Sequence, residues 1–117
     1  MTEGRRPTVV ELMAEHADDY LWNRSPDQHV DDDYTVDPAA LGISTALRTR
    51  LAAWNVDWSR RALGLGSPEP GGGRGWQAEG LRLAYELQAE LDALGHDIAV
   101  RFAHDGDPRP LRERRGR

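Results

Sequence analysis

Apolar residues recur every three or four positions in three stretches of the chain, and each stretch predicts an amphipathic helix. In the first, Val10, Met13, Ala14, Ala17 and Leu21 share one face, while Glu11, Glu15, Asp18 and Asp19 fall away from it. Thr8 and Glu11 have the spacing of a capping box just after Pro7, which predicts a helix over 9–22. In the second, Leu47, Leu51, Trp54 and Trp58 form the stripe, Ala62 and Leu65 extend it, and Arg48, Asn55 and Arg60 lie opposite. Ser44 is its N-cap, and Gly64 and Gly66 supply the stop. The third is the most regular: Trp76, Gly80, Leu83, Ala84, Leu87, Leu91 and Leu94 line one face, with Glu79, Arg82, Glu86 and Glu90 outside it. Gly95 stands where a left-handed C-cap belongs. Gly80 costs this helix about 1 kcal/mol of propensity relative to Ala, and close approach of another backbone is the expected return.

Beyond Gly95 the period changes to two: Ile98, Val100 and Phe102 alternate with Ala99, Arg101 and Ala103, as in a half-buried strand. Such a strand needs a partner for its backbone groups, and 34–36 ("YTV") or 109–113 are the expected ones, the latter by a turn at Asp105-Gly106. Residues 23–37 otherwise have loop composition, Asp37-Pro38 opens one helical turn before Gly42, and 66–75 is a turn-rich connector. These readings give an α+β domain of three amphipathic helices packed with a small two- or three-stranded antiparallel sheet. One domain is expected over 1–108, followed by an Arg-rich tail over 109–117.

Composition narrows the chemistry. The chain of 117 residues has no cysteine and no lysine, so disulfides, thiolate metal sites and a P-loop are all excluded. Its net charge of -5 repels polyanions at long range and favours a basic partner. No apolar core follows the N-terminal arginines and no run approaches the roughly 18 residues of a membrane span, so a cytoplasmic protein without membrane contact is expected.

The charge is also unevenly placed. Residues 1–40 hold ten acids and three arginines, whereas 109–117 hold five arginines, Arg109, Arg112, Arg114, Arg115 and Arg117, and one glutamate. That tail is either a solvated segment, a clasp onto the acidic loop of its own chain, or an arm for a separate acidic partner or nucleic acid.

The stretch "HVDDDY" places His29, Asp31 and Asp33 on one side of an extended backbone, a partial donor set for a divalent cation and hence for a small metal-dependent hydrolase. It is not an EF-hand, because Val36 and Gly42 stand where Gly and Glu are required. "GRGWQA" at 73–78 fits a dinucleotide fingerprint only in letters, since no strand precedes it. The pairs His96-Asp97 and His104-Asp105 follow a helix end and occupy a turn, without the further ligands of a phosphohydrolase. No catalytic residue and no cofactor is assigned. An aromatic beside carboxylates is instead a binding composition, and Glu15, Asp18, Asp19, Trp22, Asp31, Asp32, Asp33 and Tyr34 form the candidate surface for a basic protein.

"WQAEGLRLAYELQAELDALGHDIAVRF", together with "LRTRLAAWNVDW", resembles small acidic proteins of high-GC actinobacteria over most of residues 9–103. The resemblance implies a fold and a source, and carries no activity to any residue. The function expected from the residues is a non-catalytic interaction module of inhibitor or immunity type. A metal-dependent hydrolase and an Arg-tail nucleic-acid binder are the alternatives.

Overall fold

The structure is a computed structural model, and it describes residues 7–26, 34–64 and 74–114. In chain order its elements are β1 (Val9–Leu12), β2 (Leu21–Asn23), a 3-10 turn (Pro38–Leu41), α1 (Thr45–Ala62), α2 (Arg74–Ala93), β3 (Ala99–Phe102) and a second 3-10 turn (Leu111–Glu113). The class is α+β, but the described residues hold two α-helices, and the three-stranded sheet is mixed rather than antiparallel. Its order is β2-β1-β3: β1 pairs antiparallel with β2 (Glu11 opposite Trp22) and parallel with β3 (Val10 opposite Val100).

The correction falls on 9–22, where two strands and a connection replace the expected helix. A helix there would bury mainly Ala14 and Ala17 through its middle turns and leave Leu12 off the stripe. As strands, Val10, Leu12 and Leu21 are all essentially inaccessible to solvent. Each such side chain contributes about 1.5–3 kcal/mol on burial, far more than an alanine can. β-Branched Val9 and Val10 also favour the extended form. Thr8 accordingly caps nothing: its amide bonds to Ser25 Oγ at 2.8 Å, and Glu11 pairs with Arg24 at 2.9 Å.

The expected strand over 98–102 is present, with β1 as its partner in place of 34–36 or 109–113. A parallel partner requires a long crossover, and α1 and α2 supply it between β1 and β3. After Gly106, at φ 76°, the chain makes the 3-10 turn instead of a return strand and buries Leu111.

Leu83, Ala84, Leu87 and Leu91 of α2 and Leu47, Leu51 and Trp54 of α1 complete the core against Val100 and Phe102. Leu94, assigned to the α2 stripe by periodicity, is half exposed, and Gly95 at φ 84° ends the helix as expected. Trp54 stacks on Trp76 with ring centroids 4.5 Å apart and planes 6° from parallel. Each indole N–H donates to the other's backbone carbonyl at 3.1 Å, so the pair bolts α1 to α2. This ring, rather than another backbone, is what approaches Gly80.

Candidate functional site

The connection over 13–20 carries three of the expected surface acids, Glu15, Asp18 and Asp19. Although irregular, it is tied down at several points. Met13 N–H donates to Tyr20 O at 2.9 Å and closes its base. Asn55, assigned by periodicity to the polar face of α1, is buried and reaches it from below. Its Oδ1 accepts from Glu15 N–H at 2.7 Å and its Nδ2 donates to Ala17 O at 2.8 Å. His104 Nε2 accepts from Ala14 N–H at 3.0 Å, and its ring stands edge-on to Trp54, Trp76 and Phe102. Burial holds this imidazole below its ordinary pKa, so the neutral ring that the accepting nitrogen requires is the favoured one.

Asn55→Ala removes both bonds to the connection. The stranded groups lie near enough to the surface for water to replace part of the loss, and a destabilisation of about 1.5 kcal/mol is expected. Urea unfolding reads this value. The amides of 15–17 should show faster hydrogen exchange than those of β3.

Asp18 and Asp19 line an open groove of about 530 Å³ together with Thr35–Asp37 and with Thr45, Arg48 and Thr49 of α1. The groove brings Asp37 together with Asp18 and Asp19, so its lining holds three carboxylates and one arginine. Arg48 is already engaged, its Nε with Ile43 O and its Nη2 with Thr45 Oγ1, both at 3.0 Å. Asp37 caps the 3-10 turn by accepting from Ala39 N–H at 3.0 Å. Among the described residues no ion pair neutralises Asp18 or Asp19. Burial pushes the Tyr20 phenol above its ordinary pKa; Arg48 opposes the shift and Asp37 adds to it. Tyr20 therefore lines the groove as a neutral hydroxyl. The site is negatively biased, open and rich in hydroxyls, chemistry that suits a cationic side chain from outside.

The other expected surface residues divide. Tyr34 is 68% exposed and adjoins Thr35 at the groove. Trp22 is half buried: its Nε1 donates to Met13 O at 3.1 Å, and Arg24 lies over its ring at 5.9 Å. Asp31, Asp32 and Asp33 lie outside the described residues, as does the metal candidate His29. Among the described residues no group of three His, Asp or Glu could hold a metal ion. Both His-Asp pairs are accounted for structurally, since His96 Nε2 bonds to Leu41 O at 2.8 Å and His104 is packed as above.

The arginines of 109–114 turn to acids of their own chain other than those of the loop. Arg109 pairs with Asp107 at 2.8 Å, Arg112 with Asp97 at 3.0 Å and Arg114 with Asp105 at 2.6 Å. The Arg109 guanidinium holds the Asp107 carboxyl well below the usual range. Arg115 and Arg117 lie outside the described residues. Sequence reasoning missed Asn55, Asp37 and Arg48 as parts of the site. Asp37 carried only a helix-start signal, and Arg48 and Asn55 read as the polar face of a helix.

The family model described as Serratia CdiI immunity protein-like matches residues 8–105. That match takes in both strands of the N-terminal half, the groove, both helices and β3, and the chain belongs to this family. A comparison with curated proteins finds no match. No helix among the described residues is long and apolar enough to cross a membrane.

Proposed function

From membership in the immunity protein-like family, we propose that this chain is a non-catalytic cytoplasmic inhibitor that binds a toxin protein and masks a basic part of it. The family match over 8–105 carries the reading. The groove supports the reading, because Asp18 and Asp19 sit there unpaired among the described residues together with Asp37, and exposed Tyr34 precedes Thr35 of its lining. Glu15 and Trp22 flank this surface, and the carboxylates of Asp31, Asp32 and Asp33 add charge to the same stretch of chain. Unpaired carboxylates in an open groove steer a basic partner and speed encounter, whereas their burial against it sets the lifetime of the complex.

The test is capture of the partner from the source cells, its expression alone, and its co-expression with this chain. The captured protein is expected to arrest growth alone and to be neutralised stoichiometrically. The triple change Asp18→Asn, Asp19→Asn and Asp37→Asn is expected to weaken the complex by about tenfold to a hundredfold, mostly at low salt. A captured partner that is harmless when expressed alone would sink the proposal. So would full protection by the triple variant, for the groove's part in it.

A further inference from the structure

The two edges of the sheet are treated differently. At the β3 edge a helix side chain takes up two of the outward groups: Gln88 Oε1 accepts from Val100 N–H and its Nε2 donates to Ile98 O, both at 2.8 Å. At the β2 edge the chain adds one more short extended piece. Thr35 bridges to Trp22, with Asn23 N–H donating to Tyr34 O at 2.8 Å and Val36 N–H to Leu21 O at 2.9 Å. In an antiparallel pair bonded this way, the amide and carbonyl of Thr35 itself point away from β2.

Asp37 is extended too, at φ -82° and ψ 113°, so alternation turns its amide to the same outer side. Among the described residues nothing bonds to Thr35 N–H, Thr35 O or Asp37 N–H. Tyr34, Thr35 and Val36 are strand-forming residues, and they carry none of the charges or prolines that usually blunt an edge. Thr35 and Asp37 also line the acidic groove.

We infer that the partner is held by strand addition: an extended segment with basic side chains at alternate positions pairs antiparallel with 34–37. Thr35 would exchange both bonds of one closely spaced pair, and Asp37 N–H would donate a third. Side chains on one face of the added strand then meet Asp18, Asp19 and Asp37, which explains why every second residue should be cationic. The inference deepens the inhibitor reading and takes from it only that the partner is a protein.

The probe is an end-capped Arg-Val-Arg-Val-Arg peptide, titrated into the isotope-labelled full chain. Millimolar or tighter binding is expected, with exchange of the Thr35 and Asp37 amides slowed about tenfold at saturation. Methylating the peptide's arginine backbone amides, which would face Thr35, leaves the protein untouched and should weaken binding about tenfold, and a Glu-Val-Glu-Val-Glu analogue should not bind. Thr35→Pro should abolish the effect while Thr35→Val retains it.

Equal binding by the methylated peptide, no binding at all, or saturation without protection of Thr35 would overturn the inference. Concentration-dependent self-association that protects Thr35 would also overturn it, since a second copy would then occupy the edge. Toxin neutralisation that survives Thr35→Pro but fails with the Asp18, Asp19 and Asp37 changes would leave the inhibitor reading intact and remove this one.

Discussion

Replacing Gln88 by leucine is expected to lower the unfolding free energy by about 3–4 kcal/mol, through two buried backbone groups left without partners. Gln88 is buried on α2, and its amide satisfies two outward backbone groups at the β3 edge, Val100 N–H and Ile98 O, with Asp92 Oδ1 as a further acceptor at 3.0 Å. Leucine matches its size but neither donates nor accepts. Val100 N–H and Ile98 O would then be buried without partners, at about 1–3 kcal/mol each, and only part of this is offset by the apolar side chain. Gln88→Glu should be nearly as harmful, because its carboxylate can accept from Val100 N–H but faces the Ile98 carbonyl and Asp92 with like polarity. Urea denaturation measures the loss, and hydrogen exchange at Val100 locates it. A loss below about 1 kcal/mol would mean that the edge of β3 does not depend on this amide.

Gly80→Ala is expected to destabilise by about 2 kcal/mol, against the helix preference for alanine. Propensity alone favours the change by about 1 kcal/mol. A Cβ at this position, however, would lie 2.6 Å from Trp54 Cζ2 and 2.7 Å from Cε2 and Nε1. The indole has no room to retreat, being stacked on Trp76 and bonded to its carbonyl. Overpacking a site of this kind costs about 1–3 kcal/mol or more and exceeds the propensity gain. The same change in a background of Trp54→Leu should be neutral or stabilising, because the clashing ring is gone. Measuring both unfolding energies therefore gives a coupling of opposite sign to propensity, and additivity of the two changes would refute the contact.

The acidic groove was only partly legible in the sequence. Asp18, Asp19 and Tyr34 stand out as acids and an aromatic that no core stripe claims. Asp37 and Arg48 joined them only through folding, which brings the 35–38 segment and α1 into one lining. Asn55 was misplaced because an amphipathic wheel separates polar from apolar positions and has no category for a polar side chain that bonds to a neighbouring loop. Gln88 escaped notice for the same reason, although it stands next to Leu87 and one turn before Leu91, both in the buried stripe of α2.

What the sequence by itself determined are the elements whose pattern repeats over enough residues to outweigh alternatives: α1 behind Ser44, α2 up to Gly95, and the alternation of β3. Their burial follows from local periodicity, whatever they pack against. Tertiary structure decided 9–22, where the Val-Val-Glu-Leu run and an alanine-spaced stripe fit either a helix or strands. Pairing with β3 settled it, because a strand in the sheet buries Val10, Leu12 and Leu21 together and gives β3 the hydrogen bonds it needs. The acidic connection and the open edge at Thr35 both follow from that choice, and so does the surface on which the proposed function rests.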